Sequence, residues 1–476
     1  MNSTDVLVLL PVIVIAATAV LVMLMAAFQR DHQVALLLTL TGLVVAFATL
    51  FVIGPWLPRQ VTPLIIVDGY AVFYIGLLLV GTFVVALLSY SYMEKYQGQP
   101  EEFYLLLLLA TLGSCVLVIS DHFMSFFLGL ELLSVSLYAL IAYLRQQERR
   151  IEASIKYLVL AGAAAALLLF GMALIYAEAG TMSFSNLLAG TRPIGSQGVL
   201  LVGLGLITLG ISFKLGLVPL HIWTPDVYQG APAPVTGFVS TVSKGGMLAL
   251  ALRYFPQVSL SDSSALWILL AAISIASMLI GNTLAVRQNN VKRMLAYSSI
   301  AHAGYILVAL TVGTEDAISA AIFYVIAYTF FNLGAFTIIA LLETRMGAES
   351  EFEELSGLAK SAPYLSLLLA VFMFALSGFP PTVGFFGKFY IFRSAVEANY
   401  ISLAVIGVLN SFVSVYYYLR VVKTCYFDDA EHAQKPIFVP ATVGLTLVIT
   451  TAATLGFGLF PQQLLQFTQQ AIFAFL

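Results

Sequence analysis

Apolar residues fill this chain in long runs that recur from end to end, with short polar breaks between them. Each run approaches the ~20 residues a helix needs to cross ~30 Å of hydrocarbon, whereas a membrane barrel would show segments of about ten alternating residues. The breaks predict spans at 6–28, 34–54, 70–92, 102–119, 123–144, 154–177, 198–220, 233–254, 264–285, 292–312, 317–341, 363–397, 401–425 and 438–459. The seventh continues, interrupted, toward 229, and the twelfth is interrupted near 378–382. The pattern therefore predicts an all-α integral membrane protein with about fourteen transmembrane helices. Residues 461–475 form a short apolar tail expected to lie at the membrane interface.

Composition agrees. The 476 residues are 61% hydrophobic and 9% charged, against roughly 25% charged in a soluble domain. The first run lacks a basic leader and is too long for a signal-peptide core, so it is expected to be retained. Of the 21 lysines and arginines, fourteen fall in alternate loops on one side, from Arg30 to Lys435. Arg59, Arg192, Arg253 and Arg393 fall on the other. Cytoplasmic loops retain Lys and Arg, so both termini are expected outside the cytoplasm. The longest polar loop, 343–363, holds Glu349, Glu351, Glu353 and Glu354 and reads as solvated cytoplasmic chain.

Cys115 and Cys425 show neither CxxC nor Cys/His spacing, which reads as two inert thiols and no metal or cluster site. The chain has no GxGxxG after a strand and no phosphate loop. Nucleotide and redox chemistry are thereby assigned to partners, with no cofactor bound by this chain.

Three lysines remain, and they are inside the spans. Lys214 precedes a break in FKLGLVPLHIWTPDVYQGAPAPVTGFVSTVSK, a stretch with prolines at 219, 225, 232 and 234, and Lys244 ends it near the centre of the eighth span. Lys388 follows the break at Pro380 and Pro381, and Glu131 lies eight residues into the fifth span, ~12 Å along it. Unpaired, each costs ~2.5–3.5 kcal/mol to insert. Pairing of Glu131 with Lys214 is the expected relief. Removing amines and carboxylates from water brings their proton affinities toward neutral pH, which suits a proton relay. The plain alternative is an ion pair that only fixes packing, with the other lysines reaching water along their stems.

The breaks bear on that choice. Backbone freed by a helix interruption must face protein or water at membrane depth, so water can reach the lysines. Broken helices in corresponding halves point to internal repeats around a midplane site. The seventh and twelfth spans are five apart, and an odd offset inverts the copy. The expected division is 1–101 for the first three helices, 102–260 for one repeat (helices 4–8), 261–425 for its inverted copy (helices 9–13), and 426–476 for helix 14 and the tail. His302 in SSIAHAGY joins the candidate relay ahead of His221, since imidazole titrates near neutrality. Tyr324, Tyr328 and Asn332 share one face at four-residue spacing, as a water-holding or packed polar seam, and Asp226 is a candidate helix cap.

The stretches FFLGLELLSVSLY, EASIKYLVL, FKLGLVPLHIWTPDVYQGAPAPV, VKRMLAYSSIAHAGY and GFPPTVGFFGKFY, from about 102 to 425, resemble the antiporter-like subunits of respiratory complex I. Within that family, lysine rather than glutamate at 388 and a short C-terminal region fit the N-type class better than the M or L types. The resemblance implies a proton-translocating, non-redox subunit of NADH:quinone oxidoreductase. Its relay would be Glu131, Lys214, Lys244 and Lys388, with His302 between. It implies neighbouring antiporter-like subunits and lipid as partners and no nucleic acid, with FMN, iron-sulfur clusters, NADH and quinone on partner subunits. A subunit of a multi-subunit sodium/proton antiporter is the alternative, since such chains also carry lysine at the last position.

Overall fold

The computed structural model describes residues 2–96, 98–145, 147–185, 187, 198–258, 264–346, 350–429 and 437–473; Arg192, Glu349 and Lys435 lie outside these. The elements in order are α1 (Ser3–Val8), α2 (Leu10–Phe28), α3 (His32–Ile53), the strands β1 (Arg59–Thr62) and β2 (Ile65–Val67), α4 (Gly69–Met93), α5 (Pro100–Ile119), α6 (Phe123–Ile141) and α7 (Glu148–Ala179). There follow α8 (Gly198–Leu215), α9 (Trp223–Gly230), α10 (Ala233–Phe238), α11 (Lys244–Gln257), α12 (Ser264–Val286), α13 (Val291–Val312) and α14 (Glu315–Met346). The chain ends with α15 (Leu358–Ser361), α16 (Pro363–Ser377), α17 (Val383–Glu397), α18 (Ile401–Phe427), α19 (Ala441–Leu459) and α20 (Pro461–Phe473).

Among the described residues 13 helices are long and apolar enough to cross a membrane. The twelfth expected crossing accounts for the difference, because its break divides it into α16 and α17, each 15 residues long. The molecule is thus an all-α, multi-pass membrane protein. Its one sheet among the described residues, the antiparallel pair β1–β2, was not legible as strands.

Burial divides the bundle into a centre and a rim. The crossings Ala233–Gln257 and Glu315–Thr344 are 100% buried over their apolar windows, whereas Leu10–Phe28 is 33% buried. All are apolar enough to cross, since lipid accepts Leu and Val as readily as a protein core does, although the buried crossings are the less hydropathic. The length of the apolar runs therefore locates the crossings, and their polar content bears on which are central. Polar residues mark the centre: α13 buries Lys292, Ser298, Ser299 and His302, and α14 buries Thr329, Asn332 and Glu343.

The two broken crossings share one local construction. Gly216 ends α8 at φ +72° and Gly378 ends α16 at φ +83°, a region open to glycine without penalty. The Gly216 amide donates to Phe213 O and the Leu217 amide to Ser212 O; likewise the Gly378 amide donates to Ala375 O and the Phe379 amide to Phe374 O. A proline preceded by a cis peptide bond follows three residues later in both, at Pro219 and Pro381. A β-carbon on either glycine would lie 3.4 Å from a lysine Nζ, that of Lys244 at Gly216 and that of Lys388 at Gly378.

The loop 343–363 differs from the solvated chain expected of it. Glu343 is buried at the end of α14, and Phe352, Leu355 and Leu358 are buried beyond it. The Phe352 amide donates to Asn289 O, the Val291 amide donates to Ser350 O, and Arg420 stacks 4.3 Å from the Phe352 ring centre. The apolar residues interleaved with the glutamates dock the loop against α13 and α18.

Candidate functional site

Lys214 closes the last turn of α8, with 2% of its surface exposed. Its ammonium donates to Ser134 Oγ at 3.0 Å and to Tyr157 OH at 2.8 Å. The expected direct pair with Glu131 is not formed: among the described residues no carboxylate lies within 4.0 Å of Lys214. Ser134, one turn after Glu131 on α6, takes the contact instead, and Glu131 itself is half-buried on a helix that exposes Leu128 and Val135.

Lys244 follows a π-helical turn, Val239–Ser243, which separates α10 from α11. Such turns are rare and concentrate at functional sites. Its Nζ donates to Ser299 Oγ at 2.5 Å and lies 5.6 Å from the Tyr228 ring centre. Tyr228 OH meets the same serine at 2.9 Å. Nearby, the buried Thr224 Oγ1 has no partner; a β-carbon on Gly216 would lie 2.5 Å from it and 3.4 Å from Lys244 Nζ.

One turn beyond Ser299 on α13, His302 bridges two tyrosines. Its Nδ1 pairs with Tyr324 OH at 2.5 Å and its Nε2 with Tyr418 OH at 2.9 Å. Tyr418 OH also meets Ser298 Oγ. Tyr328 OH is buried without a partner, beside a small void lined by Lys244, Ser299 and His302. Asn332 donates to Ser240 Oγ at 2.7 Å. The face of Tyr324, Tyr328 and Asn332 is therefore a packed seam against the π-helical turn and α13, and it includes one unsatisfied hydroxyl.

Lys388, 4% exposed, turns back across its own break. It donates to Leu376 O at 3.1 Å, Ser377 O at 2.9 Å and Ser411 Oγ at 3.0 Å, and sits 5.1 Å from the Tyr305 ring centre. The cation thereby covers carbonyls left free at the C-terminal end of α16, where the helix dipole favours positive charge.

His221 and Asp226 stand apart from this seam. His221 is half-buried in the first break, and its Nδ1 has no partner. Asp226 makes no cap; it pairs with Lys156 of α7 at 2.9 Å and Arg293 of α13 at 2.7 Å. Both cysteines are buried free thiols, and no group of three or more potential metal ligands occurs among the described residues.

The sequence reading missed Ser134, Tyr157, Ser299, Tyr418 and Ser411. Serines and tyrosines are common in membrane helices, and only Ser299, one turn before His302, carried a spacing signal. Chemically, hydroxyl and imidazole groups both accept and donate protons, so each buried amine has a neighbour able to exchange one: Ser134 and Tyr157 at Lys214, Ser299 at Lys244 and Ser411 at Lys388.

Four matches to known proteins bear on this arrangement. Residues 120–414 match the family model described as NADH:quinone oxidoreductase/Mrp antiporter, TM. A chain of respiratory complex I from Thermus thermophilus with bound aureothin is 32% identical, with a TM-score of 0.83 over 96% of this chain and 98% of that one. A chain of the membrane-bound sulfane sulfur reductase, an archaeal respiratory membrane complex, is 27% identical, with a TM-score of 0.88 over 98% of both chains. A chain of the Mrp complex from Dietzia sp. DQ12-45-1b, 22% identical over 99% of this chain and 97% of that one, shares the fold with a TM-score of 0.87. A broken-helix bundle, matched along nearly its whole length, places the chain: it belongs to the NADH:quinone oxidoreductase/Mrp antiporter transmembrane family of antiporter-like membrane subunits.

Proposed function

We propose that this chain is a proton-translocating membrane-arm subunit of a respiratory NADH:quinone oxidoreductase in a bacterial inner membrane, both termini on the periplasmic side. The observation that carries the reading is the company the three lysines keep. Among the described residues none is ion-paired, and each is held by neutral hydroxyl or carbonyl oxygens. A scaffold built on buried charge would pair it, as Arg253 and Asp68 do at 2.7 Å in the same protein. Unpaired, the amines are free to change protonation state.

In this reading Glu131 biases Lys214 from beyond Ser134, and a proton passes by Thr224 and Gly216 to Lys244, then through Ser299, His302 and its tyrosines to Lys388. The similar breaks support two inverted copies, 102–260 and 261–425, with 1–101 and 426–476 flanking them. FMN, iron-sulfur clusters, NADH and quinone would sit on partner subunits that supply the energy. Lysine at 388 favours the N-type class.

The test is the assembled complex in sealed vesicles, driven by NADH and quinone. Lys244→Ala and Lys388→Ala are expected to lower the protons moved per electron while assembly persists. Unchanged ratios in both variants would overturn the relay. Failure to co-purify with a flavin-containing arm, with pumping that requires sodium, would move the chain to the sodium/proton antiporters.

A further inference from the structure

A second buried charge cluster lies outside that line, at the end of the bundle where most basic residues gather. Lys292, in the first turn of α13, donates to Glu343 Oε1 at 2.6 Å and to Ala231 O at 2.6 Å. Glu343 also accepts from Tyr92 OH at 3.0 Å, the Ala233 amide at 3.2 Å and Ser350 Oγ at 3.2 Å. The side chains of the pair are 2% and 1% exposed.

Two features separate this pair from the buried Arg253–Asp68 bridge. Both of its members can exchange a proton, whereas a guanidinium cannot be deprotonated in a protein. It also has an approach from the surface: Tyr92, whose hydroxyl binds Glu343, lines a cavity with Ser91, Lys95, Thr344, Ile437 and Val443. Inward, Ser299 follows Lys292 by seven residues on α13, two turns or ~10 Å of rise, which puts both on one face. Ser299 is the partner of Lys244 and of Tyr228 OH. Thr236, donating to Tyr228 O at 3.2 Å and Pro232 O at 3.3 Å, lies in the segment that Lys292 and Glu343 grip at Ala231 and Ala233.

We propose that the Lys292–Glu343 pair is the site through which Lys244 is loaded with protons from the cavity beside Tyr92, an inference that rests on the relay reading above. A proton from water in the cavity adds to the Glu343 carboxylate and dissolves the ion pair. The Lys292 ammonium then releases its proton, by way of water and the Tyr228 and Ser299 hydroxyls, to the neutral Lys244 amine. Glu343 passes its proton to Lys292 and the pair reforms. One proton enters, one reaches Lys244, and no electron moves.

The experiment uses the intact complex in vesicles. Glu343→Gln retains a carbonyl for Ala233 and Tyr92 but cannot take up a proton; it is expected to assemble and to lower protons per electron as Lys244→Ala does, with Glu343→Asp restoring part of the loss. A normal ratio in Glu343→Gln beside a lowered one in Lys244→Ala overturns this proposal and leaves the relay standing; normal ratios in both overturn the relay itself. If Glu343→Gln does not assemble, Tyr92→Phe decides, since it deletes one hydroxyl beside the carboxylate: slowed pumping supports the proposal and an unchanged rate overturns it.

Discussion

Lys214 shows how a single residue can be legible in type and illegible in company. Its charge in an apolar run marked it, yet its contacts are Ser134 and Tyr157, from two other crossings. No spacing in the chain encodes that meeting. Tyr157→Phe removes one acceptor from a buried cation and is expected to cost about 1–3 kcal/mol of stability, read as a lower melting temperature of the complex. A second residue-scale prediction concerns Asp121, in the loop between α5 and α6. Burial pushes its carboxyl above the usual carboxylate range, and Arg253 pulls in the opposite direction. The folded protein therefore holds this proton more tightly than the unfolded chain, so the contribution of Asp121 favours folding in acid and is lost as pH rises from ~4 through the folded value. Asp121→Asn is expected to raise the melting temperature at pH 7 by about 1–2 °C, the scale of a solvent-screened fraction of a kcal/mol, and the gain should vanish near pH 4. A gain that is constant with pH would sink the argument.

Element-scale behaviour concentrates in the breaks. Both were readable because proline and glycine interrupt apolar runs; the π turn before Lys244 was not, since VSTVS carries no signal that separates a five-residue from a four-residue hydrogen-bond step. Gly216 is confined twice, by its positive φ and by Thr224 Oγ1, 2.5 Å from where a β-carbon would stand. Gly216→Ala is expected to cost at least ~1–2 kcal/mol from the left-handed backbone alone. Gly162→Ala, in α7 with open space around it, should be neutral or stabilising by up to ~1 kcal/mol, as for an ordinary helical glycine. Thermal unfolding of the two variants separates conformational need from simple bulk.

At the scale of the whole molecule, the number of crossings and their apolar character could be read from the chain, whereas the central crossings were marked only by their polar residues and lower hydropathy, because lipid and protein interior both accept apolar side chains. The outer surface carries its own information. Ile222 is 66% exposed and Phe379 56% exposed, each beside a broken crossing. Irregular backbone does not face hydrocarbon, so neighbouring subunits are expected to cover both places. Ile222→Asp and Phe379→Asp should each weaken assembly on native gels, while the still more exposed Phe28, at the end of α2, should tolerate polar replacement. The three contacts of Lys388 join the end of α16 to α18 and set a count of hydrogens. An ammonium has three to give, a neutral amine only two, so a departing proton leaves one of three acceptors without its donor. The two carbonyls can only accept, but Ser411 can reverse and donate to the amine's lone pair. On the proposed relay, a single hydroxyl rotor would let charge leave this crossing with all three acceptors still engaged, and Ser411→Ala would remove that adjustment.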